Sequence, residues 1–531
     1  MDNGNQPLLS NVDEEDQQLS RERSVSFTAE GDIEPIKGLR DFSIQFCVES
    51  KKLWFLAGPA IFTSICQFSL GTITQIFAGH VGTLQLAAFS IENSVIAGFS
   101  SGVLLGMGSA LGTLCGQAFG AGQLDMMGIY MQRSWVVLIT TAILLSFLYI
   151  FADPLLKLIG QSGDISKAVG VFARWMIPQL FAYAINFPLA RFLRAQSKVM
   201  AMALISVVAF PFHTFFSWFL MLKLGWGLVG AAIVLNASWW FIVLAQFIYV
   251  LSGTCGRAWS GFSWKAFQNL WGFIRLSLAS AVMLCLEVWY YMALILVAGY
   301  LKNPEIAVDG LSICISILGL ALMIALGFSA SIRFVAKTLK FTAFCSNCTK
   351  SNSYIIICSV RVSNELGAGH PRTAKFSVAV VVISSFLVGL VLSLVLIITR
   401  KYFPALFSTN KDVRELVSLL TPWLAASIVI NNVQCVLSGV AIGAGWQGLV
   451  AYVNVGCYYI FGIPLGLLMA YKFDMGVTGI WCGMLCGTIL QTCVLFWLTY
   501  RTNWKKEASM VEDRVREWGR DNNEKSNDRE K

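Results

Sequence analysis

Glu287 is the residue in this chain whose surroundings promise chemistry. It stands inside the apolar run Met283-Leu-Cys-Leu-Glu287-Val-Trp-Tyr-Tyr-Met292, and no basic residue lies between Arg275 and Lys302 to neutralise it. A carboxyl placed mid-membrane costs about 2.5 to 3.5 kcal/mol on insertion scales, so a sequence that keeps one there has a use for it. Burial disfavours the charged form, and a group held near the balance point loads and releases a proton across a gradient. The bland alternative is a permanently protonated acid bonded to a neighbouring helix. Glu92, beside Asn93, is a second acid in an apolar run, placed nearer the predicted end of that run, where water could wet it.

Other candidates read as structural. Glu305 and Asp309 stand at a helix start, where carboxylates commonly cap, and His213 beside Pro211 is expected to be a bonded core histidine. Cys345-x-x-Cys348 is the only CxxC and has no second ligand pair at zinc spacing, so no metal is expected there. Gly98-Phe-Ser-Ser-Gly102 fits a Gly-x-Ser-x-Gly pattern, but inside an apolar helix rather than at a strand-to-helix turn, which makes it a chance match.

The elements that position these acids are membrane spans. The 531 residues are 56% hydrophobic and 13% charged with a mean hydropathy of +0.66, values that exclude a soluble globular domain. A spanning helix needs about 20 mostly apolar residues, and twelve such runs centre near residues 65, 98, 141, 180, 210, 239, 284, 319, 387, 428, 460 and 488. The fold class is therefore an all-α polytopic membrane protein of twelve transmembrane helices in two six-helix lobes. Pro59, in the first span, deletes one backbone hydrogen bond and is a candidate hinge. The fourteen cysteines sit mostly singly in apolar helices and imply no disulfide framework. Net charge +9 comes largely from tails and loops, and no aromatic-interleaved basic surface suggests nucleic acid. Lys37, Arg40, Lys51 and Lys52 before the first span, with Arg501, Lys505 and Lys506 after the last, favour two cytosolic tails; the loops between spans do not decide.

The chain repeats itself. The glycine ladder Gly106 to Gly122 returns in the second half, broken into Gly327-Phe-Ser-Ala-Ser-Ile332 and Val360-Arg-Val-Ser-Asn-Glu-Leu-Gly-Ala-Gly369. Before the break, Leu53-Trp54 pairs with Leu270-Trp271 at an offset of 217, Gly79 with Gly299 at 220 and Ser90-Ile91 with Ser312-Ile313 at 222. After it, Gly122 pairs with Gly369 at 247 and the Gly227-to-Gly230 corner with Gly476 to Gly479 at 249. The excess matches the polar segment 333–358, 26 residues long, which reads as an insert between spans eight and nine. Its in-frame length fits a retained intron, and cDNA from expressing tissue decides the point. Six spans per half is an even number, which gives parallel repeats about an axis along the membrane normal.

The domains follow: 1–50 a disordered cytosolic tail, 51–255 the first lobe, 256–500 the second lobe carrying the insert, and 501–531 a charged, solvated cytosolic tail. The first tail has no secretory signal pattern, and its Pro7-Leu8-Leu9 is a weak candidate for a sorting signal.

Gly108 to Gly122, Glu287-Val-Trp-Tyr-Tyr-Met292, Arg361 to Gly369, Val436-Leu-Ser-Gly-Val-Ala441 and Gly445-Trp-Gln447 resemble the multidrug and toxic compound extrusion (MATE) family, over nearly all of residues 50 to 500. The likeness is to its plant DETOXIFICATION branch, and Ser90 to Ile96 resembles the vacuolar, TRANSPARENT TESTA-like subgroup. The resemblance implies two lobes around a central cleft, export of organic solutes coupled to proton entry, and a proton site at Glu287. Many plant members carry an acidic partner in span ten, where this sequence reads Ile430-Asn-Asn-Val-Gln434, so a two-carboxylate relay is not expected.

The expected function is proton-coupled antiport of flavonoid glycosides, anthocyanins or other secondary metabolites from the cytosol by alternating access. Glu287 and Glu92 couple protons, and Gln67, Gln75, Asn93, Trp289, Tyr290, Asn432 and Gln434 offer bonds and stacking faces in the cavity wall. The energy source is the proton gradient, with no cofactor. The expected partners are the lipid bilayer, small organic solutes and protons, around a monomer in the vacuolar rather than the plasma membrane. An anion channel or carrier of the same fold and an isoform disabled by the insert are the alternatives; an intramembrane enzyme lacks a His-Glu-x-x-His motif.

Overall fold

The computed structural model describes residues 32–36, 38–159, 161–268, 270–298, 310–311, 313–314, 318, 362–406 and 411–519. Ten helices among them are long and apolar enough to cross a membrane. The long helix α1 (Leu39–Val81) contains the first expected span and holds Pro59 in its interior. It is followed by α2 (Leu84–Gly120), α3 (Leu124–Ile150), α4 (Gly163–Ala195), α5 (Val199–Lys223), α6 (Gly227–Thr254) and α7 (Leu270–Ala298). After the segment carrying the eighth run and the insert, most of it outside the described residues, come α8 (Pro371–Thr399), α9 (Lys411–Ala444), α10 (Gln447–Lys472), α11 (Gly476–Arg501) and α12 (Trp504–Gly519). Glu305, Asp309, Cys345 and Cys348 also lie outside the described residues.

The internal repeat is visible in the backbone. Gly122 and Gly369, paired by sequence, turn with φ of 72° and 75°, and Gly227 and Gly476 with 53° and 52°. Left-handed φ is open to glycine at little steric cost. The same corner geometry appears at Gly225 and Asp474, and at Ser197 and Gly445. Each half also ends its fifth span in a π-helical turn, Trp218–Lys223 and Leu468–Lys472.

One continuous apolar core fills the first half between α2, α3, α4, α5 and α6, including Phe89, Leu138, Phe172, Phe192 and Ile242. A second, around Tyr290, Leu424, Tyr458 and Trp481, fills the other half. Outward-facing Phe212, Phe215, Leu244, Ile248, Leu394 and Ile398 are exposed, as lipid-facing positions are. The link between halves is held to α3, where Gln132 donates to Gly261 O at 2.9 Å and accepts from Ser263 N at 2.8 Å.

Both tails depart from expectation. Leu39–Ser50 is helical, and Asp32 and Glu49 bond to α8: Thr373 N donates to Asp32 Oδ1 at 2.8 Å and Ser377 Oγ to Glu49 Oε1 at 2.5 Å. A disordered tail over the whole of 1–50 is therefore corrected, because free amides at the start of α8 and a serine hydroxyl recruit these carboxylates. The second tail is not a simple solvated extension either. Its Trp504, Ala508 and Val511, spaced to share one helical face, are buried.

Candidate functional site

Two acids lie in the membrane region, Glu92 buried in the first half and Glu287 half-buried in the second. Glu287 projects from α7 toward α9, where Gln434 Nε2 donates to its Oε1 at 3.0 Å. Gln434 is fully buried and also donates to Ser438 Oγ at 3.2 Å, so one amide orients the carboxyl from a fixed helix. Among the described residues no cation pairs with Glu287. A carboxyl with one neutral donor and no counter-charge can take up a proton without breaking an ion pair.

Glu92 sits where α2 winds through a π-helical turn, Glu92–Ile96. Such turns re-aim a side chain and are frequent at functional sites. The residue is 1% exposed, and its Oε1 has no hydrogen-bond partner. The expected wetting of Glu92 near a span end is thus overturned: α2 begins at Leu84, a full two turns earlier, and the Tyr149 and Tyr183 phenols lie within electrostatic reach.

The expected cavity residues differ in exposure and in partners. Tyr290 is 0% exposed, stacks on Tyr458 at 4.3 Å and donates to Met484 O at 3.3 Å, a packing role inside the second half. Asn432 is buried with both side-chain polar atoms unpartnered, and Gln67 is half-buried with Nε2 unpartnered. Trp289 is exposed and lies parallel to Phe99 of α2, ring centroids 6.0 Å apart. Asn93 is exposed beside Glu92, and Gln75, also exposed, donates to Ser90 Oγ at 3.3 Å. Pro59 is buried, with Thr63 Oγ1 donating to its carbonyl at 2.8 Å.

His213 is the bonded core histidine expected, with Nε2 2.9 Å from Leu70 O and Nδ1 2.8 Å from Ser238 Oγ. Ser100 of the Gly-x-Ser-x-Gly match is buried mid-helix and donates to Ile96 O at 2.9 Å. Among the described residues no cluster of ligating side chains could hold a metal.

The halves meet closely on the face that carries both tails. The α2 glycine ladder lies against the second half: a Cβ built on Gly106 would stand 2.7 Å from Ala281 Cα, and one on Gly120 would run into Asn364 O and lie 2.8 Å from Ala368 N. Thr113 Oγ1 donates to Ile442 O at 2.6 Å, Gln117 Nε2 to Gly443 O at 3.2 Å, and Gln447 Nε2 to Thr113 Oγ1 at 2.9 Å. Sequence reasoning took the ladder as packing and passed over Thr113, Gln117 and Gln447; the signal available was polar side chains set within a run of small ones.

The MatE family model matches residues 59–219, 279–336 and 357–468. The chain belongs to the MatE family. The match leaves 337–356 uncovered, inside the segment read as an insert. Protein DETOXIFICATION 32 of Arabidopsis thaliana is 59% identical over 516 residues, covering 97% of this chain and 95% of the relative. Protein DETOXIFICATION 29 of the same plant is 61% identical over 501 residues, covering 94% and 95%. Among solved structures, the eukaryotic MATE transporter AtDTX14 superposes with a TM-score of 0.79 at 34% identity, covering 88% of this chain and 99% of that one. The Vibrio cholerae MATE transporter VcmN in its bent form shares the fold at 16% identity, with a TM-score of 0.73 over 88% and 99% of the two chains. This MatE chain is accordingly a multi-pass membrane transporter of the twelve-helix MATE fold rather than an enzyme.

Proposed function

We propose that this MatE-family transporter is a proton-coupled antiporter exporting organic solutes, with flavonoid glycosides, anthocyanins and related secondary metabolites as its substrate class and the vacuolar membrane as its site. The observation that carries the reading is the Glu287 carboxyl, held by Gln434 at 3.0 Å inside the second half and without a cationic partner among the described residues. Protonation from an acidic lumen removes a charge inside the membrane region, loosens the hold of the Gln434 amide and repacks α7 against α9, releasing solute on that side. Deprotonation toward the cytosol resets the site. The tail-bearing face is cytosolic by its lysines and arginines. Glu92 is a second proton-accepting group, in the first half. Asn432, Gln67, Asn93 and Gln75 supply hydrogen bonds, and Trp289 with Phe99 supplies ring faces, suited to aromatic polyols. Segment 333–358 is an insert in this arrangement.

Uptake into reconstituted vesicles with an acidic interior tests the reading. A gradient of two pH units is worth about 2.7 kcal/mol per proton, or about 100-fold accumulation of a solute exchanged for one proton. Glu287→Gln is expected to bind solute yet lose this accumulation; full accumulation by the variant overturns proton coupling at Glu287.

A further inference from the structure

We propose that the C-terminal helix α12 is a latch: Arg514 ties it across the seam between the halves, and the tail-bearing face opens only when α12 lifts. The inference deepens the alternating-access reading above, on which it rests.

The apolar face of α12 packs in a cluster drawn largely from the second half, with Ala60 and Val199 of the first half at its edge. Trp504, Ala508 and Val511 bury themselves in one cluster with Val362, Leu366 and Ala374. Trp446, just after α9, donates its Nε1–H to Glu507 Oε2 at 3.2 Å, and its ring lies 6.2 Å from that of Trp504. Two turns further on, Arg514 reaches over the seam, and its Nη1 donates to Oε1 of Gln117 on α2 at 3.2 Å.

Gln117 is itself a seam residue, 0% exposed, with Nε2 donating to Gly443 O. Arg514 therefore completes an amide bonded at both ends, one end to α9 and the other to α12. The guanidinium also fills the space left open at Gly445, where a Cβ would stand 2.6 Å from Nη1 and where φ is 89°. Any side chain at Gly445 would displace it. Burial pushes the Arg514 pKa down, with Glu507 opposing. A partly desolvated cation held by a neutral amide is firm enough to fix a conformer and weak enough to release it. A cavity of about 550 Å³, lined by Gly120, Ala121, Gly367, Gly369, Ser509 and Glu512, lies between α12 and the two glycine corners. Arg514 is the side chain of α12 that bonds to α2 across this seam among the described hydrogen bonds.

Hydrogen–deuterium exchange of the full chain in lipid nanodiscs, without solute or gradient, tests the latch. Arg514→Gln is expected to raise exchange about 10-fold in peptides over 112–122 and 441–445, with Arg514→Lys in between and α3 unchanged. Removal of residues 503–531 is expected to give the same local rise. The latch is refuted if Arg514→Gln leaves 112–122 within twofold of the parent, as for a helix that merely braces the second half, or if α3 loosens equally, which would mean general unfolding. Because no proton or solute enters the assay, its failure leaves coupling at Glu287 untouched, and failure of Glu287→Gln in vesicles leaves the latch untouched.

Discussion

Gly120→Ala is expected to hold the tail-bearing face open. In the closed arrangement the added methyl would overlap Asn364 O and stand 2.8 Å from both Asn364 C and Ala368 N. These are backbone atoms of a turn whose own hydrogen bond, Ala368 N to Asn364 O at 2.9 Å, keeps it from giving way. Overpacking of this kind costs about 1–3 kcal/mol. Alanine also gains about 1 kcal/mol of helix propensity over glycine, but α2 stays helical whether the face is open or shut, so that gain cancels between the two conformers. The clash alone shifts the equilibrium, by about 5- to 150-fold toward the open form. Ser363→Cys provides the reporter, because Ser363 is 0% exposed and lies against Gly116 in the closed seam. A membrane-impermeant maleimide applied to the tail-bearing side reacts with Cys only in the open fraction, and peptide-resolved mass spectrometry separates this thiol from the native cysteines. When labelling is slow relative to opening, its rate follows the open population. Gly120→Ala should raise the rate by at least about 5-fold over the same reporter with Gly120 intact. An unchanged or lower rate would mean that the seam is no gate, or that it closes elsewhere.

Two further perturbations separate packing from function. Tyr290→Phe keeps the stack on Tyr458 at 4.3 Å and loses the long hydroxyl bonds to Met484 O at 3.3 Å and Gly483 O at 3.4 Å. Thermal unfolding in detergent should register about 0.5–1 kcal/mol for it and about 3–5 kcal/mol for Tyr290→Ala; equal losses would refute the stacking account. Asp32→Ala removes a cap that accepts from Thr373 N at 2.8 Å, Thr373 Oγ1 at 3.0 Å and Arg372 N at 3.2 Å. It should cost about 0.5–2 kcal/mol and speed proteolysis before α1, and unchanged cleavage would show that the segment is held by other means.

The duplication was legible because corners keep their residue types: the pairs Gly122/Gly369 and Gly227/Gly476 share φ as well as identity. Glu287 was legible too, since an uncompensated acid in an apolar run is rare whatever packs against it. The burial of Glu92 was not. Apolar periodicity carries no mark of the π-helical turn that redirects its side chain, and the start of α2 at Leu84 is set by tertiary packing. Tyr290 and Trp289 are neighbours in sequence, yet one is sealed and the other exposed, because the direction of each is decided by helices far along the chain. The Asp32 cap joins residues 340 apart, which no local pattern announces. The face of α12 was readable from Trp504, Ala508 and Val511 at positions i, i+4 and i+7, but the density of charge around them concealed it.

The duplication also bears on why one half carries the Glu287 site. Offsets of 217 to 220 bracket this part of the chain and place the first-half counterpart of Glu287 between Gln67 and Leu70; offsets of 247 to 249 place that of Gln434 between Ile185 and Phe187, with Asn186 central. The first half thus presents neutral amides, Gln67 and Asn186, where the second has an acid and its donor. Both amides keep a buried polar atom without a partner, as a pocket shaped for a bonded pair would leave them. Conversely, Glu92 falls opposite Cys314 at an offset of 222, and Cys314 is buried and cannot replace a carboxyl at neutral pH. Each half has kept an acid at a position the other has neutralised. Under the proton-coupled reading proposed above, each half then answers to an acid at a different position, and two otherwise parallel bundles that respond to different acids can move against each other rather than together.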